Sequence, residues 1–321
     1  MEPENPGLEV AKAFVEGAAK EGTNKLSEFL GGLVPFWGLK KKAVDAYVQD
    51  IKQSNLSPEA KMMAIANTKK TYRELKNQSK IIEIAQADFA DGLNIDTDSL
   101  RDNELILRLI DSSKFVSDED LQLLWGKVLA GELEHPGNTP KNIVRIMSEL
   151  SKENATAFYN LCSLQIEILA DTGSDIEHFG REMMVFLPSN CLQEMNINLN
   201  VIEELEQLGL INLSSSGYSR PIPSKYSYIH IAYGDHVITA SSFKNGFPIG
   251  QIRLTRAGHY ISRFSPVHYN QQHMEEINNY LVNTAHIEVS PAPGIRITER
   301  DEEGCSYERQ SVIPPQAPGQ Q

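Results

Sequence analysis

The chain has 321 residues, room for about two domains with cores of their own, and its 40% hydrophobic and 23% charged residues exclude wholesale disorder and a fibrous repeat. A formal net charge of −13 makes the surface as a whole repel phosphate, which argues against a broad nucleic-acid footprint and leaves local charge to be read separately. The three cysteines, Cys162, Cys191 and Cys305, stand far apart outside any C-x-x-C spacing, so neither a zinc site nor a redox pair is expected and a reducing cytoplasm fits.

Residues 1–56 read as an amphipathic N-terminal helical segment. The start, Met1-Glu2-Pro3-Glu4-Asn5-Pro6, is acidic and broken by proline, the opposite of a secretory signal. The uncharged stretch from Phe29 to Leu39 holds three glycines and a proline and is far short of the ~20 apolar residues that cross a bilayer. Leu26, Phe29, Leu30, Leu33 and Trp37 nonetheless fall on one helical face, and Gly31-Gly32 with Pro35 predict that it breaks into a helix pair. Joined by Phe36 and followed by Lys40, Lys41 and Lys42, this face is a candidate contact for anionic lipid headgroups at the inner membrane, or for a partner. The same stripe would serve equally as a packing face.

Residues 57–172 read as a helical bundle. Ser57-Pro58-Glu59 supplies an N-cap, a proline at the first helical position and a first-turn acid, so a long helix is expected from Pro58 to about Ala90. It is the most basic stretch of the chain, with Lys61, Lys69, Lys70, Arg73, Lys76 and Lys80 around Glu74. Lys69, Lys70, Arg73, Lys76 and Lys80 are candidate phosphate contacts, against the plainer reading of a solvated face. Further helices are expected around Leu100–Ile110, from a Ser117/Asp120 capping box toward Leu133, after Thr139-Pro140, and from Ser151 through Phe158, Leu161 and Ile168.

Residues 173–290 read as an α+β, winged-helix-like domain, so the expected fold class is mainly α with a smaller α+β C-terminal domain. Met183–Leu187 reads as a strand or buried segment before Pro188. A helix over Val201–Leu208 ends at Gly209 and leads into a strand at Leu210–Leu213, resembling the end of a winged-helix recognition helix. Glu203, Glu204 and Glu206 make that helix acidic, which points to protein rather than DNA. Tyr228–Tyr233 and His236–Ala240 flank Gly234-Asp235 as a β-hairpin, Gln251–Leu254 reads as a strand, and Thr255 caps a following helix. Residues 291–321, rich in Pro, Glu, Gly and Gln, read as a disordered tail.

No phosphate loop, zinc-protease helix or nucleophile elbow occurs in the sequence. His268 and His273 are spaced i, i+5, one step too long for two ligands on one helix face, and Glu132 and Glu134, at i, i+2, point to different faces as surface or structural groups. No catalytic residue, metal ligand or cofactor is therefore expected. The stretch from Leu121 to Glu132, with Pro136-Gly137, Asn142-Ile143 and Leu150–Ala155, resembles an uncharacterised bacterial family, domain of unknown function 2806, and more weakly the abortive-infection alpha-type proteins. The resemblance spans mainly Arg73 to Leu164, with echoes at Leu205–Ile211 (L-x-x-L-G-L-I) and Leu254–Ile261 (L-T-x-A-G-x-x-I). Gly126 stands where the family commonly has alanine, and Asn138-Thr139-Pro140 replaces a more usual Ser-Phe-Ser-like stretch. The family carries no known catalytic residue, so Trp125, Gly131, Glu132 and Pro136 are assigned structural roles, Trp125 as a core anchor. The expected function is a non-enzymatic interaction or regulatory protein, extended by analogy to phage defence or stress response, with a protein partner or homo-oligomer and peripheral membrane contact. The alternative is a nucleic-acid-binding regulator using the basic helix over 61–80 or the winged-helix-like unit.

Overall fold

The computed structural model describes residues 32, 34, 39–88, 103–234, 236–241, 246–265, 270–291, 295–300 and 305–309. Leu26, Phe29, Leu30, Leu33, Phe36 and Trp37, and the end of the tail from 310, lie outside the described residues. The protein is a mixed α+β chain that divides into two compact units, residues 1–152 and 153–321.

In the first unit, α1 (Lys41–Gln53) and α2 (Pro58–Asp88) are joined by a short link and touch each other. They are followed by α3 (Glu104–Ser113), α4 (Glu119–Glu134) and α5 (Ile143–Glu149). Each start has a physical cause. The Ser57 hydroxyl accepts from Ala60 N–H (3.2 Å) ahead of Pro58, and Asn103 Oδ1 accepts from Leu105 and Ile106 N–H. α4 is capped by Asp118, which accepts from Asp120 and Leu121 N–H, rather than by the expected Ser117. A carboxylate there satisfies two free donors and faces the positive end of the helix. The helix expected at Thr139-Pro140 begins later, at Ile143, because Pro140 heads a turn closed by Ile143 N–H to its carbonyl (2.9 Å).

The core of this unit joins Ile81, Ile82 and Ala85 of α2, Ile106, Leu109 and Ile110 of α3, Leu124, Trp125, Val128 and Leu129 of α4, and Ile143 and Ile146 of α5. α4 passes against α2 so closely that a Cβ on Gly126 would stand 2.3 Å from Ile84 Cγ2 and 3.2 Å from the Ile81 carbonyl oxygen. Polar side chains of α2 complete α3: Gln78 donates to the Ile110 carbonyl and Asn77 to that of Lys114, each at 2.9 Å. The Ile110 carbonyl also accepts from the Ser113 hydroxyl (2.7 Å), so carbonyls at the helix end are met by side chains of both helices.

The second unit opens with α6 (Lys152–Cys162), which stops well short of Ile168. Ile166–Asp171 is instead strand β1, buried along its whole length and paired on both sides, with β2 (Ile176–Glu182) and β4 (Tyr228–Tyr233). Buried on both faces, β1 shows no alternation and reads from sequence like an extension of the preceding helix. With β5 (His236–Ser241) and β7 (Glu288–Pro291) these strands form an antiparallel sheet in the order β2-β1-β4-β5-β7. The expected hairpin is present in register, Tyr233 facing His236. Helix α10 (Gln271–Asn279), continued by a π-helical turn over Tyr280–Thr284, sets Met274, Ile277 and Leu281 in one core with Ile166, Ile168, Ile229 and Ile231.

A second layer is built from α7 (Asn190–Glu194), α8 (Leu199–Leu208), β3 (Ile211–Arg220), β6 (Phe247–Leu254) and α9 (Arg256–Ser262), with β3 and β6 paired to each other alone. Met183–Leu187 is a buried segment without strand pairing, since Met184 adopts a positive φ of 43°. It still lies along β6: Gln251 N–H donates to the Val185 carbonyl (2.8 Å) and Leu187 N–H to Gln251 Oε1 (2.6 Å). β8 (Ile295–Arg300) and β9 (Cys305–Arg309) form a separate hairpin.

Candidate interaction surface on the first two helices

A local departure from the chain's charge lies on α1 and α2. Residues 39–88 hold ten Lys and Arg against six Asp and Glu, a net +4, so the remainder of the chain carries −17. Leu75 is the first buried residue of α2, which leaves the turns over 58–74 exposed or half-buried. Lys69, Arg73, Lys76 and Lys80 are spaced by four, three and four residues, which aligns them on one helical face, and all four are exposed. Lys80 meets Glu83 at 3.8 Å and Lys70 meets Glu74 at 3.9 Å, whereas Lys69, Arg73 and Lys76 pair with no carboxylate among the described residues.

Lys40, Lys41 and Lys42 are exposed at the start of α1, and Lys61 is tied down by donating to the Lys52 carbonyl (3.0 Å). Counted from the link, Lys41 lies twelve residues back from Gln53 and Lys70 twelve on from Pro58. At ~1.5 Å per residue each stands ~18 Å along its own helix from the link. The two sets of lysines, read separately in the sequence as lipid-facing and phosphate-facing, thus belong to one helix pair. Sequence reasoning missed three apolar side chains on this pair: Met62 is 68% exposed, Met63 69% and Leu56 46%. The available signal was that both methionines lie N-terminal to the Leu75–Ala85 stretch that carries the core contacts.

The resemblance-bearing residues of α4 hold the first unit together. Trp125 is 1% exposed, the core anchor expected. Glu132, expected as a surface or structural group, is buried, and its Oε1 accepts from Asn103 Nδ2 (2.7 Å) and from Gly137 N–H (3.0 Å). The Gly131 carbonyl accepts His135 N–H (3.0 Å), and Pro136 is exposed in the turn leading to Gly137, whose φ is +89°. The Glu132 carboxylate therefore links the start of α3, the end of α4 and the Pro136-Gly137 turn.

In the second unit, polar groups that could suggest chemistry are engaged inside the fold. His230 lies between Asp171 (Nε2 to Oδ2, 3.0 Å) and Thr239 (Nδ1 to Oγ1, 3.0 Å), three side chains each under a tenth exposed. Glu276 accepts from the Ser189 hydroxyl and from Asn190 and Cys191 N–H, fastening α10 to the start of α7. Burial pushes the Glu182 carboxyl above its usual range, while Arg220 at 2.6 Å and Arg253 at 3.6 Å draw it down. Of the two spaced histidines, His268 lies outside the described residues, and His273 is buried with Nε2 3.0 Å from the Leu164 carbonyl. Among the described residues no group of three or more His, Cys, Asp or Glu could hold a metal ion, and no helix is long and apolar enough to cross a membrane.

α8 carries Glu203, Glu204 and Glu206 on its exposed side, and Glu206 Oε1 accepts Leu213 N–H (2.7 Å). The two C-terminal echo motifs meet each other. Gly209 closes α8 at φ 82°, and the Thr255 hydroxyl donates to the Gly209 carbonyl (2.6 Å) while capping Gly258 N–H (3.0 Å). A family model described as "Protein of unknown function (DUF2806)" matches residues 65–278, more than half of the chain. No curated protein and no solved structure matches, so the weaker resemblance to abortive-infection proteins has no support.

Proposed function

We propose that the chain, which belongs to the family of unknown function DUF2806, is a non-catalytic interaction protein that docks on a polyanion through α1 and α2. One observation carries this reading: Lys69, Arg73 and Lys76 stand exposed on one face of a helix, with no carboxylate partner among the described residues, in a chain of net charge −13. Unneutralised cations at one place in an acidic protein focus the local field and attract an anionic surface that the rest of the molecule repels. The non-catalytic part is supported by the engagement of Glu276, Glu182 and His230 with the protein's own groups.

In this reading the first unit is a helical bundle presenting the docking pair. The layer of α8, β3, β6 and α9, with Met183–Leu187 beside β6, is a winged-helix-like module. Its acidic α8 favours a protein partner over DNA, because carboxylates there would repel the phosphates such a helix must approach. Location in the cytoplasm, self-association, and a place in phage defence or stress response belong to the same proposal.

The test is retention of the full chain on immobilised heparin at low ionic strength. Retention that falls as salt rises, and is lost in Lys69→Glu/Arg73→Glu/Lys76→Glu, is the expected result. Wild-type protein passing straight through would remove the reading.

A further inference from the structure

We infer that the polyanion taken by α1 and α2 is an anionic bilayer surface, with Met62, Met63 and Leu56 entering the interface beside the cations. This rests on the docking reading above and adds the identity of what is docked upon.

Met62 lies on the same helical face as the cations, with Lys69, Arg73, Lys76 and Lys80 following at steps of seven, four, three and four residues. The exposed part of α2 thus runs from an apolar end, where Met62 and Met63 are 68% and 69% exposed, to a cationic end. A nucleic-acid backbone would use the cations and offer little to two unbranched thioethers. The boundary between headgroups and acyl chains takes both: cations remain among anionic headgroups while flexible apolar side chains reach below them. Leu56, in the link between the helices, is 46% exposed and close in sequence to the methionines, which enlarges the apolar end. Lys40, Lys41 and Lys42 add cations from α1. In the sequence they directly follow the apolar run from Leu26 to Trp37, so lipid-compatible residues flank the cations along the chain on both sides.

The experiment is flotation of the full chain with vesicles of equimolar phosphatidylglycerol and phosphatidylcholine, with vesicles of phosphatidylcholine alone, and, in parallel, heparin retention and a duplex-DNA shift. The protein is expected to float with the anionic vesicles only. Met62→Ser/Met63→Ser is expected to lower vesicle partitioning about 10-fold and leave heparin retention unchanged, and Met62→Leu/Met63→Leu to restore it. Lys69→Gln/Arg73→Gln/Lys76→Gln is expected to weaken both, with vesicle partitioning falling roughly 100-fold at about five-fold per cation. All five positions are exposed, and circular dichroism establishes that each variant folds. Binding to heparin or DNA without flotation overturns the bilayer while the docking reading stands; failure of every polyanion overturns both. Flotation indifferent to Met62→Ser/Met63→Ser overturns the role given to the methionines.

Discussion

Replacing Gly258 by alanine should destabilise the second unit although it places a better helix former in α9. An ideal Cβ on Gly258 would stand 2.0 Å from the Leu210 carbonyl oxygen, and contacts of this kind under 3.0 Å are essentially never seen. The start of α9 must therefore retreat from β3 by at least the missing ångström. The same oxygen accepts Thr255 N–H at 3.0 Å, and this bond stretches beyond bonding if α9 withdraws. One lost hydrogen bond costs about 1 kcal/mol, overpacking against a backbone atom that cannot rotate away adds about 2 kcal/mol, and the gain in helix propensity returns about 1 kcal/mol. The expected loss is about 2 kcal/mol. Urea unfolding followed by circular dichroism would measure it, with amide exchange across α9 and β3 locating it. The only two tryptophans, Trp37 and Trp125, lie in the first unit and are not suited to reading this change. Gly173→Ala is the control: nothing lies within 4 Å of its Cβ, and only its φ of +92° is strained, so it should cost about 1 kcal/mol. A Gly258→Ala protein as stable as wild type would refute the argument from close approach.

Gly126→Ala should lower the stability of the first unit by about 1–2 kcal/mol, since the Ile84 side chain and the Ile81 carbonyl block the new methyl group. Trp125 emission in urea reads the change, and a compensating Ile84→Ala should recover part of any strain from that side chain. Glu132→Ala leaves Asn103 Nδ2 and Gly137 N–H without their acceptor and is expected to cost about 2–3 kcal/mol. Glu132→Gln retains one oxygen and should cost less; equal losses would remove the linking role. Burial lowers His273 to about 4 from the ordinary 6.5, so the folded protein holds it neutral. Its contribution is present above pH ~6.5 and is lost as pH falls toward ~4, where the unfolded chain binds the proton more readily. The second unit should lose up to about 3 kcal/mol over that window, and His273→Gln should flatten the dependence measured by urea titrations at several pH values.

What the sequence disclosed tracks how local the cause is. Ser57-Pro58, Gly209, Thr255 and the Gly234 turn each act within a few residues, and the elements they start or end stand where expected. β1 was misread because its identity depends on β2 and β4, distant neighbours that bury both its faces. β2, Ile-Glu-His-Phe-Gly-Arg-Glu, was missed because its polar residues obscure a strand pattern, and some of them pair across strands, as His178 does with Glu167. In the candidate surface the cations were legible as spacing. The exposure of Met62 and Met63 was not, because an apolar residue in a helix gives no sign of whether another element covers it. The burial of Glu132 was equally hidden, since its partners Asn103 and Gly137 come from separate segments. Glycine at 126 is explained by the approach of α2, a contact that the α4 stretch alone does not show.

The β3–β6 ladder begins with Arg220 opposite Phe247, so the chain departs and returns at one point, and the intervening residues carry the β4–β5 hairpin into a different sheet. Closing that ladder directly means ordering a long intervening segment, whereas the hairpin pairs Tyr233 with His236, three positions apart in the chain. Once formed, the hairpin shortens the segment still free and draws the ladder's ends together. The expected order of assembly is therefore hairpin first and ladder second, with amide protection at Ile229–Ile231 arriving before that at Ile211–Leu213. On this order the layer of β3 and β6 takes shape only after the neighbouring sheet has begun, and a fragment without residues 221–246 would have to find its register by another route.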